Sequence, residues 1–467
     1  MIVLTRDLAR RFRAVAKKCQ PGRPRGPAPP VVVRTAGGVL TLTARLGDVT
    51  LAVTAPAPPA TDETLVVPMA VFEAAGGSGA DPVEVRSVTR SKGEARWADR
   101  GVPRTLAFDA LEPGGQHDPP PRPAEWSPAP ARFLTALDEC GRTAARDAGR
   151  FALDRVQVRG KAGQVIGTDG TTAVISGGFA FPFADDLLVP AVPAFGCKEL
   201  AGETDVRVGR ADGHLVVRAG PWTVWLRADP GGRYPDVAAV VPRPVDPPVV
   251  VLAEADARAV VAALPALPGA DRAGRPVTLD LAGMAVLRAG GAGDVAEVRL
   301  AASAVAGPPG RAAVGRAVVG RALRLGCRTI RLSGAGKPVV FTGGDWTVVA
   351  VPLDLSAVVA PDPVSPVALV VPLAPIPDPT VPRRTELMKT PEANGHPRPD
   401  PRPADPPPAD PVDPLAEAES LRAGLVDAAH RAGRLVAALK HRRRERKALT
   451  QAWSSLQSLN LGARGGP

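Results

Sequence analysis

The sequence predicts an α+β chain built from three tandem, similar domains, each with two helices packed against antiparallel sheet. Three observations predict it. The chain has 467 residues, enough for three domains of about 150 residues each. A pattern recurs with a period of about 120 residues, too long for a solenoid and suited to tandem copies of one fold. Within each copy, helical periodicity gives way to β-branched alternation broken by glycine-containing turns.

The first copy opens with an amphipathic helix, in which Leu8, Phe12, Val15 and Ala16 share one face while Arg6, Arg10, Arg13 and Lys17 lie on others. The strand region VVVRTAGGVLTLTARLGDVTLAVTA follows, and Val67-Pro68 introduces a second helix. The second copy repeats the order with Phe133, Leu134, Leu137 and Cys140 on its first helix, hairpins in FALDRVQVRGKAGQVIGTDGTTAVISGG, and a second helix expected after Val189-Pro190. The third has Ala257, Val260, Val261 and Leu264 on its first helix and RAVVGRALRLG as its second. Closing strands are expected in TDVRVGRADGHLVVRAGPWTVWLRAD and CRTIRLSGAGKPVVFTGGDWTVVAVPLD.

The domains are expected at residues 1–120, 125–245 and 247–357, separated by Pro-rich stretches around Glu112 to Pro130 and Pro242 to Pro248. Residues 358–414 are dominated by Pro and Asp and are expected to form an extended, disordered linker. Residues 415–460 read as a basic amphipathic helix: Leu421, Leu425, Ala428, Leu435, Leu439 and Leu449 supply part of an apolar stripe. Lys440, Arg442, Arg443, Arg444, Arg446 and Lys447 form a basic cluster on it.

Hydrophobic residues make up 45% of the chain but aromatic ones only 4%, so Ala, Val and Leu must fill the cores. A formal net charge of +11 favours a polyanionic partner without saying which. Cys19, Cys140, Cys197 and Cys327 are scattered and never approach CxxC spacing, which indicates neither a zinc site nor a disulfide framework and fits a reducing cytoplasm. The N-terminus carries charges where a signal peptide needs apolar residues, and no stretch offers about 18 uninterrupted apolar residues for a membrane span.

Catalytic signatures are missing: the sequence holds no GxxxxGK[ST] loop, HExxH pair or GxSxG elbow. His117 falls in an interdomain Pro-rich segment and His214 in a hairpin, where exposed turn histidine is the expected reading. Asp169 in TDGT reads as a turn residue. No cofactor, metal or catalytic residue is expected.

Three landmarks carry a family resemblance. GGRYPDVAAVVP, Gly231 to Pro242, is similar to the Gly-Arg-Phe/Tyr-Pro-Asp segment that ends the middle domain of bacterial sliding clamps. GTDGTTAVI, around Thr168, Asp169 and Gly170, looks like their Thr-Asp-Gly-His-Arg-Leu segment, and VVAVPLDL, Val348 to Leu355, looks like their closing Met-Pro-Met-Arg-Leu. In this order, on a threefold repeat, they make Met1 to Leu355 resemble the β subunit of bacterial DNA polymerase III, as a divergent member with an additional C-terminal extension.

The resemblance implies a non-catalytic homodimeric ring, helices inside and sheets outside, that encircles double-stranded DNA and tethers a polymerase, with a clamp loader as a further partner. It implies a cytoplasmic protein working at the nucleoid, with no membrane. Helix cations that touch phosphates hold DNA without a sequence code, so such a ring slides. The DNA-contact candidates are Arg10, Arg13, Lys17, Arg23 and Arg25, then Arg142 and Arg146, then Arg316, Arg321 and Arg324. Partner peptides of the family dock between the middle and last domains, which maps here to Thr168, Gly170, Thr171, Thr172, Ala173, Pro242, Val349, Val351, Pro352 and Leu353.

This sequence departs from the pattern at Thr171 and Thr172, where His and Arg are usual, and at Ala173, where Leu is usual. Val351, Leu353 and Asp354 replace Met, Met and Arg. Apolar volume and an Arg donor are both reduced, which points to altered partner choice. The alternative reading is a repurposed clamp fold that acts as a protein-interaction scaffold and contacts DNA through its basic C-terminal helix.

Overall fold

The computed structural model describes residues 1–20, 28–58, 62–147, 151–243, 245–290 and 295–361. Within them one element order recurs three times. The first pass runs β1 (Ile2–Thr5), α1 (Arg6–Cys19), β2 (Val31–Ala36), β3 (Val39–Leu46), β4 (Val49–Pro56), β5 (Glu63–Val67), α2 (Met69–Ala75), β6 (Pro82–Thr89), β7 (Lys92–Asp99) and β8 (Val102–Asp109). The second runs β9 (Ser127–Ala129), α3 (Arg132–Thr143), β10 (Arg155–Arg159), β11 (Gln164–Thr168), β12 (Thr172–Ser176), β13 (Asp186–Pro190), α4 (Lys198–Ala201), β14 (Val206–Ala211), β15 (His214–Ala219) and β16 (Trp222–Arg227). A one-turn helix, α5 (Val237–Val240), lies between passes. The third runs β17 (Val249–Val251), α6 (Glu254–Ala263), β18 (Pro276–Ala282), β19 (Met284–Gly290), β20 (Val295–Arg299), β21 (Ala304–Ala306), β22 (Arg311–Gly315), α7 (Arg316–Arg324), β23 (Thr329–Leu332), β24 (Val339–Gly343) and β25 (Trp346–Ala350).

Two features differ from expectation. A short strand precedes each opening helix, too brief for an alternation pattern to register. The helix expected after Val189-Pro190 is reduced to a 3-10 turn, Pro193–Gly196, and the single turn of α4. Pro193, Gly196 and Gly202 punctuate that stretch at intervals shorter than two helical turns, so no longer helix propagates.

Local chemistry fixes the boundaries. The Thr5 hydroxyl accepts the Leu8 N–H at 3.1 Å and caps α1. Asp212 and Gly213, both at positive φ, make the tight turn from β14 to β15, the Asp-Gly pairing that two-residue hairpins favour. Gly167 lets α3 lie directly on β11, because a Cβ there would collide with the Cys140 carbonyl.

The sheets cross from one pass to the next. One has the order β5-β2-β3-β4-β16-β15-β14-β9 and another β13-β10-β11-β12-β25-β24-β23-β17-β21. Two four-stranded sheets, β1-β6-β7-β8 and β20-β19-β18-β22, remain. At the seams β4 pairs with β16 and β12 with β25, both antiparallel. One continuous apolar core joins the helices to one face of these sheets, running from Ile2 to Ala350.

The other face carries two small apolar clusters, one on each seam, and a connecting segment covers each. After β8, the Gln116 carbonyl accepts from Arg45 at 2.9 Å, and the Pro121 carbonyl accepts from the Trp225 indole at 3.1 Å. Trp126 then packs on Ala52, Val216 and Trp225 across the β4–β16 seam. After β16, Tyr234, Val237 and Val241 pack with Ile166, Ala173, Ile175 and Val349 across the β12–β25 seam. After β25, the Leu353 N–H donates to the Ala313 carbonyl at 2.7 Å and the Val359 N–H to the Thr278 hydroxyl at 2.8 Å.

Candidate nucleic-acid and partner-binding surfaces

The helix layer sorts the basic candidates by what each guanidinium or ammonium already holds. On α1, Arg10 bonds Asp7 at 2.5 Å and the Gly77 carbonyl at 3.3 Å, and Arg13 pairs with Glu73. Lys17 is exposed in the last turn with no ion-pair partner among the described residues, and so is Lys18, which was not among the sequence candidates. Lys17 lines a cleft of about 150 Å³ with Arg13, Gln20, Ala28 and Met69. Arg23 and Arg25 lie outside the described residues.

On α3, Arg142 is exposed but paired with Asp138 at 2.8 Å, while Arg146, past the helix end, is exposed and without an ion-pair partner among the described residues. Burial pushes the Asp138 carboxyl up from its ordinary range, against the pull of Arg142.

On α7 the three candidates diverge. Arg316 is only 7% exposed, and its guanidinium donates to the carbonyls of Leu264, Leu267 and Pro268 at 3.1, 2.7 and 2.6 Å. It closes the α6 end of the fold, and its one unpartnered nitrogen, Nε, is buried away from any phosphate. Arg321 reaches from α7 to α3, bonding the Glu139 carboxylate at 2.7 Å and its carbonyl, and so ties the second pass to the third. Arg324 is exposed and free of ion pairs among the described residues. Of these cations, Lys17, Lys18, Arg146 and Arg324 are free of ion pairs among the described residues, with at least one from each pass. The basic tail, Lys440, Arg442, Arg443, Arg444, Arg446 and Lys447, lies outside the described residues.

The opposite face brings most of the peptide-groove candidates together. Asp169 is occupied in its own turn: one carboxylate oxygen accepts from the N–H groups of Thr171 and Thr172, at 2.8 and 2.7 Å, and from the Thr171 hydroxyl. That turn sets Thr168 across from Ala173, and Ala173 across from Val349. The Val351 N–H reaches the Thr171 carbonyl at 2.8 Å.

The floor is the seam cluster of Ile166, Ala173, Ile175, Val237 and Val349, with Tyr234 and Val241 packed against it. Pro242 follows Val241 at its margin. Val240 and Val351, 55% and 50% exposed, stand as an apolar rim. Burial raises the Tyr234 phenol, whose hydroxyl donates to the Ile166 carbonyl at 3.3 Å.

Pro352 and Leu353 leave this groove and line a separate cavity of about 320 Å³ with Arg311, Ala313 and Gly336. Ile166, Ile175, Tyr234 and Val237 were not among the sequence candidates. The first two alternate with core residues along their strands, which was the available signal.

Among the described residues no three His, Cys, Asp or Glu side chains cluster to hold a metal. Burial raises the thiols of Cys19 and Cys140, and that of Cys327 to about 11, which makes them poor nucleophiles at neutral pH. No helix among the described residues is long and apolar enough to cross a membrane.

No family model and no curated protein sequence matches the chain. Solved structures do. The DNA polymerase III subunit beta from Pseudomonas aeruginosa is 18% identical with a TM-score of 0.60, and a putative DNA polymerase III beta subunit from Eubacterium rectale is 12% identical with a TM-score of 0.62. The beta subunit from Thermotoga maritima is 14% identical with a TM-score of 0.59. Each likeness covers 76% of this chain and 99% of the other. What is shared is the DNA clamp fold.

Proposed function

We propose that this clamp-fold chain is a DNA sliding clamp of the DNA polymerase III β type: a non-catalytic ring around duplex DNA, made of two copies, that tethers a polymerase or another DNA-processing partner. In this reading each pass is one domain, at residues 1–120, 125–245 and 247–357, and a loader opens the ring.

One topological observation carries the proposal. At both internal seams, the third strand after a pass's opening helix pairs with the last strand of the following pass: β4 with β16, and β12 with β25. By the same rule β20 lacks a last strand and β8 lacks a third strand. Among the described residues β20 pairs only with β19, and β8 only with β7. The two free edges are complementary to each other, so a second copy supplies β8 to β20. A head-to-tail contact of this kind generates a closed ring when its rotation closes, and closure pairs both of these edges.

The helix layer then lines the hole. Lys17, Lys18, Arg146 and Arg324 are among its free cations, and they contact phosphates without reading bases. The rim of Val240 and Val351 over the β12–β25 seam takes an apolar partner peptide. The work belongs in the cytoplasm at the nucleoid.

Light scattering on the full chain tests the ring, followed by retention on nicked circular DNA before and after linearisation. A dimer that stays on circles and slides off linear ends is expected. A monomer, or retention that ignores DNA topology, overturns the clamp reading in favour of an interaction scaffold.

A further inference from the structure

We propose that Asp138 is a proton-linked latch on Arg142: when a DNA phosphate draws the Arg142 guanidinium away, Asp138 takes up a proton, so the hold on DNA tightens as pH falls. This regulates the helix-layer surface and rests on the DNA-binding reading of it.

The pair is lopsided. Arg142, in the last turn of α3, has a side chain 58% open to solvent, whereas that of Asp138, one turn back, is 8% open. They meet at 2.8 Å through Oδ2 of Asp138. Oδ1 is buried and has no hydrogen-bond partner among the described residues. The backbone of the 3-10 turn Pro193–Gly196 presses on it, since a Cβ at Gly196 would lie 2.4 Å from Oδ1. When a surface pair parts, each partner finds water. Here only Arg142 can. Asp138 is left as a buried carboxylate with neither oxygen paired, and a carboxyl so placed neutralises itself by taking a proton.

No neighbour can stand in for Arg142. Glu139, next on α3, adds a second negative charge and lies 3.7 Å from Arg142. Arg321, reaching over from α7, is committed to the Glu139 carboxylate at 2.7 Å and to its carbonyl. Beneath α3, β11 and β12 hold no charged residue, and the two arginines of β10 pair with Asp48 at 2.9 Å and Asp186 at 3.5 Å. The 3-10 turn has no charged side chain, and on α4 Glu199 faces the Cys197 thiol while Lys198 is exposed.

Burial already raises the Asp138 carboxyl, with Arg142 as the main opposing pull. DNA removes that pull and brings phosphate charge, and both raise it further. The bound state therefore holds more protons than the free one. Affinity rises as pH falls through the range where bound Asp138 titrates, and levels off once free Asp138 is protonated too.

The latch is read by the anisotropy of a labelled duplex oligonucleotide, titrated with the full-length protein at low salt between about pH 8 and about pH 5. Asp138→Asn has no charge to neutralise. It is expected to bind at least about threefold tighter than the unaltered protein at the alkaline end, and to lose most of that advantage at the acid end. Equal affinities throughout overturn the latch. So does an advantage that acid does not shrink, which would mark Asp138 as a plain repelling charge.

Calorimetry in two buffers of unequal ionisation enthalpy counts the proton without relying on the variant's fold. Net uptake on DNA binding by the unaltered protein is expected, and none overturns the latch. A duplex that does not bind at all defeats the DNA reading and the latch with it, whereas binding without proton uptake defeats the latch alone.

Discussion

At the scale of single residues, Arg316 and Arg324 sit on one short helix and do opposite things. Both read as basic helix positions in the sequence, because spacing reveals a face but not which carbonyls wait beneath it. Arg316 is turned onto three of them, and burial, with Arg275 nearby, lowers the pKa of its guanidinium. Arg316→Ala is expected to destabilise the fold by about 3 kcal/mol in urea melts, since three carbonyls lose their donor at roughly 1 kcal/mol or more each. Arg324→Ala should leave the melt unchanged and flatten the salt dependence of DNA binding, by about 0.9 in the log–log slope for each phosphate that Arg324 neutralises. The reverse assignment, with Arg324 carrying stability and Arg316 carrying salt dependence, would contradict the division made by the structure.

At the scale of elements, the opening helices were legible because their apolar positions repeat at helical spacing: Phe12, Phe133 and Val260 all end in the core. The short strands β1, β9 and β17 were not, since three or four residues show no periodicity, and α4 was expected to be longer from a Val-Pro that introduces little more than a turn. The groove was half legible. Its Thr-Asp-Gly turn and closing strand were found by resemblance, but the floor required knowing that β12 and β25, far apart in sequence, share a seam. Position on that seam separates two neighbours. Val351→Asp, at the 50% exposed rim, is expected to cost little stability and to weaken binding of a Gln-containing apolar peptide about tenfold or more, by titration calorimetry. Val349→Asp, at 6% exposure, is expected to unfold the seam itself, because a buried unpaired carboxylate costs several kcal/mol. Peptide affinity indifferent to Val351→Asp would place the partner surface elsewhere.

At the scale of the whole molecule, the seams decide what the chain can assemble into. Across the internal β4–β16 seam, Leu51 faces Val224 and Val49 faces Leu226, and none of these four is more than 1% exposed. Across β12–β25, Val174 faces Val348, and both are fully buried. The free edge β8 carries Leu106 in the same core-facing role, packed on the core but only half-buried, beside Phe108 at 9%. On β20, Ala296 and Val298 face the same core at 5% and 4%. Closing the third seam would finish the burial of Leu106, gaining on the order of 1 kcal/mol per seam at about 25 cal/mol per Å², and a lysine there would have to bring its charge into that joint. Leu106→Lys is therefore expected to raise the dimer dissociation constant at least about tenfold in sedimentation, while lowering the unfolding midpoint of the isolated subunit much less than a charge at a fully buried core position would, because the side chain is only partly buried in a single chain. Raising salt should weaken the hold on phosphates and speed loss over linear ends without freeing circular DNA, since phosphate contacts are screened and an apolar seam is not. A ring that opened in salt, or a Leu106→Lys protein that dimerised as before, would mean that the two free edges do not meet.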